Sequence, residues 1–268
     1  GKLASGYGRS ACGEHSGAGC MKFLSRASGI TEKEWPRARS MMLLCFAIMA
    51  ALAFGRAARD AFFIKNAGAD NLPIVYLLNG ILVAGIAAVY SRVVHRLSLS
   101  RFMGLLCAAF VLAIVVLRLL ISSGNVVMPY AVWSLAEVYN ILMLMHFWTY
   151  ANKVFDPREG KRMFPIVGAA GLVGMIVGSS VTPMFVNAFG SNNLLLGWAG
   201  MVILAIPPLR LSAAAARKSG VILAGTDDSG ETVAENWRSL FQIPLVRTLA
   251  MIAFPMWITA WLVDYQFF

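Results

Sequence analysis

The chain has 268 residues, of which 59% are hydrophobic and 13% charged, and it carries a formal net charge of +10. Soluble domains carry about 25% charged residues, and apolar blocks this long lack the polar face that water requires, so a soluble all-helical domain is excluded. The basic residues cluster between the apolar blocks, which makes the charge a topological signal and leaves nucleic-acid binding a poor explanation for it.

Residues 1–20, GKLASGYGRSACGEHSGAGC, are rich in Gly, Ser and Ala and carry no hydrophobic period. Such composition predicts disorder. Met21 reads as a natural start, so these 20 residues are expected to be non-native, and residues 1–36 form a disordered cytoplasmic segment. Seven apolar spans follow, at 41–63, 73–94, 102–122, 126–151, 163–189, 194–211 and 244–268. Each is near the roughly 20 residues that a bilayer requires.

Lys22, Arg26, Lys33, Arg37 and Arg39 precede the first span, and Arg92, Arg96 and Arg101 separate the second from the third. Lys153, Arg158, Lys161 and Arg162 follow the fourth, and Arg210, Arg217, Lys218 and Arg238 follow the sixth. The opposite loops hold only Lys65. This bias places the N-terminus in the cytoplasm. The expected fold is all-α and polytopic: a six-helix transmembrane half over 37–211, a cytoplasmic connector over 212–243, and a seventh helix over 244–268. Six helices, a connector and a seventh helix match the start of a six-plus-six transporter.

Cys12, Cys20, Cys45 and Cys107 show no CxxC spacing, so neither a disulfide framework nor a metal site is expected. No phosphate loop, HExxH or GxSxG occurs, so nothing points to an enzyme or to a cofactor.

The first span ends in GRAARD. Arg56 and Asp60 lie about 40° apart around a helix and Arg59 within about 100° of both. One face therefore presents two guanidiniums, whose planar forks suit phosphate or carboxylate. The plainer reading is snorkelling to the outer interface, with Asp60 neutralising Arg56.

In the fourth span Glu137 lies about 13 Å along the helix from Met128, near mid-bilayer. An acid at that depth is costly and faces a cavity or a partner charge. Tyr130, Trp133, Asn140, Leu144 and Trp148 recur near its face, whereas His146 falls on the opposite face, where packing is expected. The turn NKVFDPREGKR is a solvated basic loop, or else a gate in which Lys153, Arg158, Glu159, Lys161 and Arg162, with Asp60 at the far end of the first span, exchange ion pairs. In the fifth span Gly168, Gly171, Gly174 and Gly178 are expected at a close helix contact. Asp264 lies in the outer half of the seventh span, and Arg118 is expected to snorkel.

Three blocks carry a family resemblance: GRAARDAFFIKNAGADNLP, AEVYNILMLMHFWTYANKVFDPREGKRMFPIVG and IPLVRTLAMIAFPMWITAWLVDYQFF. In order, over about residues 37–268, they resemble the ATP/ADP translocases of plastids and intracellular bacteria, nucleotide transporters distantly related to the major facilitator superfamily. The resemblance implies a major-facilitator-like fold and exchange or uptake of nucleotides by alternating access, in a bacterial inner membrane. Arg59 falls where the family has a lysine important for transport, Glu137 matches a family glutamate, and Asp264 replaces one.

On this reading Arg56 and Arg59 hold phosphate, Glu137 and Asp264 set coupling and selectivity, and Trp133 or Tyr139 stacks on a base beside Asn140. The partners are a nucleotide or related phosphorylated anion and the lipid bilayer. The alternatives are a major-facilitator carrier of another organic solute and a non-transporting membrane anchor or partner module.

Overall fold

In the computed structural model, residues 34–93, 98–121, 126–190 and 193–221 are described, with isolated positions 244, 247, 248, 251, 252, 255 and 259. The expectations for the N-terminal tail, the acidic part of the connector, the seventh helix as a unit and Asp264 lie outside the described residues.

Among the described residues the chain is all-helical. Helix α1 spans Trp35–Ala67 and is followed by a 3-10 turn at Ala69–Asn71. Then come α2 (Leu72–Val93), α3 (Leu99–Leu120), α4 (Met128–Val154) and α5 (Pro157–Phe189). Two short helices, α6 (Leu194–Leu204) and α7 (Ile206–Lys218), form one interrupted rod. The interruption at Ala205 precedes Pro207 and Pro208, which have no N–H for the helical ladder.

Among the described residues, five helical segments are long and apolar enough to cross a membrane: α1, Leu72–Tyr90 of α2, α3, α5, and the α6–α7 rod. Together they describe a multi-pass membrane protein. Helix α4 is 27 residues long but too polar to join that set. Its acid, amide, histidine and tyrosines are tolerable in a bilayer because the other helices cover much of it. Glu137, Tyr139, His146 and Tyr150 are all buried.

The termini follow local chemistry. Gly68 and Gly190 end α1 and α5 at φ of 79° and 80°, where a side chain would be strained. Helix α5 starts with a capping box, in which Asp156 and Glu159 each satisfy a backbone N–H of the first turn.

Helix α1 packs most extensively against α5, and α4 packs against α1, α3 and α2 in decreasing extent. Helix α1 also meets the α6–α7 rod, and so does α3.

Glycine sets the α1–α5 crossing. A Cβ on Gly174 would meet the backbone carbonyl of Phe46, one on Gly178 the carbonyl of Ala50, and one on Gly171 the Cys45 Sγ at 2.8 Å. Without hydrophobic attraction between helices in lipid, such close backbone approach supplies the packing energy. Gly168 differs from the sequence expectation: a Cβ there meets nothing within 4 Å, because it lies one turn before the crossing.

Candidate functional site

The site is built where α1 and α4 cross beside α2. Arg59 sits on the inward face of α1 and is 6% exposed. A guanidinium at that depth needs compensation on every side, and three groups supply it. Its Nε donates to Asp60 Oδ1 at 2.8 Å. Its Nη1 forms an ion pair with Glu137 Oε1 across the α1–α4 interface. Its guanidinium carbon lies 4.2 Å from the centre of the Trp133 ring, within reach of a cation–π interaction.

Trp133 belongs to an aromatic cluster that holds it in place. Its ring is edge-on to Phe63 at 4.9 Å and to Tyr76 at 5.8 Å, and Phe63 is edge-on to Tyr130 at 5.4 Å. The position of Arg59 is thus fixed by rings from α1, α2 and α4 together. A groove of about 720 Å³ opens beside this cluster, bounded by Pro73, Tyr76, Asn79, Ile81 and other residues of α2 and by Glu137 and Ile141 of α4. Glu137 is therefore shared: it pairs with Arg59 and also forms part of the groove wall.

Several sequence expectations are revised by this geometry. Asp60 pairs with Arg59 rather than Arg56, because Arg59 faces the bundle whereas Arg56 is exposed. Asp60 therefore belongs to the Arg59 cluster rather than with the basic turn. Trp133 is fully buried with Arg59 over its ring, so that face is already occupied. Tyr139 lies on the other side of α4, edge-on to Phe110 and Trp198 at 5.0 and 5.6 Å, and belongs to the core. Asn140 is half-buried. Trp148 packs against Phe147 and Phe164, away from Glu137.

The basic turn is partly a clasp. Arg37 of α1 donates to the Val154 carbonyl at 3.2 Å and to Glu159 at 3.0 Å, joining the ends of α1, α4 and α5. Arg162 reaches Glu34 at 3.4 Å. Lys153, Arg158 and Lys161 are exposed. His146 is fully buried between the Tyr90 hydroxyl at 2.9 Å and the Leu99 carbonyl at 2.7 Å. Because a carbonyl only accepts, Nε2 is the protonated nitrogen in this arrangement. Arg118 does more than snorkel: it reaches Asn193 at 3.5 Å, from α3 to the start of α6.

Sequence reading missed Arg37 as a clasp and missed Tyr76 and Asn79 altogether. Asn79 did carry a signal, since an amide inside an apolar span calls for the same question as an acid there.

Comparison with known proteins gives short matches. The chain is 33% identical over 60 residues to ADP,ATP carrier protein 3 of Rickettsia felis, and likewise to that of Rickettsia prowazekii. It is 35% identical over 51 residues to the Rickettsia conorii protein of the same name. The matches cover 20%, 20% and 19% of this chain and 12%, 12% and 10% of those carriers, respectively. No family model matches the chain, and no solved structure does. The relationship to these carriers is partial and distant.

Proposed function

We propose that the chain is part of a membrane transporter that moves nucleotides or related phosphorylated anions by alternating access. The observation that carries this reading is the Arg59–Glu137 ion pair, buried where α1 crosses α4 and bordering a groove of ligand size. In this arrangement the Arg59 guanidinium is already held by two carboxylates, so an incoming phosphate engages it by displacing one of them. Exposed Arg56, one turn earlier, offers a first point of attraction. Exchange of Glu137 for substrate then couples occupancy to the α1–α4 contact, which is the kind of differential contact that a conformational change requires.

The short likeness to proteins named ADP,ATP carriers supports the substrate class. The basic residues flanking the spans support a cytoplasmic N-terminus, in a bacterial inner membrane. Asp264 is assigned to the same site, with Glu137, in setting coupling and selectivity. Lys153, Arg158, Glu159, Lys161 and Arg162 are assigned to a cytoplasmic gate.

A second reading, a carrier of another organic solute, draws support from the largely apolar groove wall. Uptake of labelled nucleotide by the full-length protein in proteoliposomes tests the first. Glu137→Gln and Arg59→Gln are each expected to abolish uptake, and normal uptake by both variants overturns the assignment. Competition by non-phosphorylated solutes, with none by nucleotides, moves the conclusion to the second reading.

A further inference from the structure

A second groove lies at the end of the bundle where α1 begins and α7 stops. It holds about 400 Å³ and runs between Arg39 and Leu43 of α1 and Leu211, Ala214, Ala215 and Lys218 of α7. Arg39 lies in the opening turns of α1 and Lys218 closes α7, so both cations sit at the end of the bundle. Leu43 lies one turn further into α1, and Leu211 precedes Lys218 by seven residues, about 10 Å along its helix. The groove is therefore graded, cationic at its mouth and apolar deeper in. Leu43 and Leu211 are exposed, so the described helices leave this apolar wall uncovered.

Among the described residues neither Arg39 nor Lys218 is held in an ion pair. Nearby carboxylates are already engaged, Glu159 by Arg37 at 3.0 Å and Glu34 by Arg162 at 3.4 Å, and no described carboxylate lines the groove. Two cations brought together from different helices repel each other, and an anion between them relieves the repulsion. We propose that this groove binds an anionic phospholipid, with its phosphate between Arg39 and Lys218 and an acyl chain along Leu43 and Leu211. A soluble phosphate would use the cations alone, whereas a phospholipid uses the whole graded surface. A zwitterionic lipid brings its own ammonium group to its phosphate and so gains less from the two side chains. In the orientation proposed above, the lipid belongs to the cytoplasmic leaflet. The site does not depend on the nucleotide reading.

The test follows thermal unfolding of the full-length protein in a neutral detergent as phosphatidylglycerol or phosphatidylcholine is titrated in. A ligand that binds only the folded state raises the unfolding temperature, and phosphatidylglycerol is expected to do so at fractions where phosphatidylcholine does not. Arg39→Gln and Lys218→Gln are each expected to raise the phosphatidylglycerol fraction needed for half of the shift about fivefold, the factor set by one basic residue near an anionic surface. Arg101→Gln removes an exposed charge outside the groove and is expected to leave that fraction unchanged. Ala214→Phe fills the groove without altering charge and is expected to weaken the response. Glycerol 3-phosphate, which has the phosphate without acyl chains, is expected to give no shift. Equal shifts from the two lipids, or an Arg101→Gln loss as large as that of Arg39→Gln, overturns the site. A shift from glycerol 3-phosphate that Arg39→Gln abolishes overturns the lipid as its occupant, and an unchanged response in Ala214→Phe overturns the acyl-chain placement.

Discussion

The guanidinium carbon of Arg59 lies 4.2 Å from the centre of the Trp133 ring, and the same side chain bridges Asp60 on α1 and Glu137 on α4. One cation thereby ties two helices and an aromatic cluster together. Its energetic weight comes from burial, since a charge removed from water is tolerable only while its partners remain.

Removing one partner of the pair is expected to be worse than removing both. Arg59→Leu leaves Glu137 without its cation and is expected to cost about 3–5 kcal/mol. The double variant Arg59→Leu/Glu137→Leu is expected to recover part of that loss, giving a coupling of about 1–3 kcal/mol. Thermal unfolding of the four proteins in detergent measures it. Additive losses would show that the pair contributes nothing as a pair.

The α1–α5 crossing makes a sharper steric prediction. Gly174→Ala and Gly178→Ala each drive a Cβ into a backbone carbonyl of α1, which cannot rotate away as a side chain would. Each is expected to cost about 1–3 kcal/mol, seen as a lower unfolding temperature and reduced yield in membranes. Gly168→Ala, with open space at its Cβ, is the control. It is expected to be neutral or slightly stabilising through helix propensity.

At the Arg37 end of α1, two ion pairs of different quality can be compared. Arg37 and Glu159 are 13% and 17% exposed, and Arg37 also holds the Val154 carbonyl. Arg37→Leu is expected to cost about 1.5–3 kcal/mol. Arg162 is 45% exposed in its pair with Glu34, so solvent screens it and Arg162→Ala is expected to cost under about 1 kcal/mol. Denaturation in detergent at low and high salt separates them, with salt eroding only the second.

The site was legible in the sequence to different depths. Glu137 and Arg59 announced themselves because charges inside apolar spans are expensive. Helical phase also separated His146 from Glu137, and it is instead bonded to Tyr90 and Leu99. The same phase argument failed for Asp60, since a spacing of four residues to Arg56 says which side chains are neighbours but not which one α4 covers. Tyr139, two residues from Glu137 along the chain, lies about 200° from it around the helix. It faces α3 and α6.

The amino-acid pattern alone was enough to divide the described residues into long helices, five segments of which are apolar enough to cross a membrane. That division is a local property: a backbone in lipid must satisfy its own hydrogen bonds, so each apolar stretch of sufficient length becomes a helix whatever its neighbours do. Which faces of those helices meet is a property of the packed bundle. Rotation of one rod against another is set by shape, here by Gly174 and Gly178 seating α5 on the backbone of α1. With α1 seated there, Arg59 meets Glu137 and Trp133, while Arg56 stays exposed.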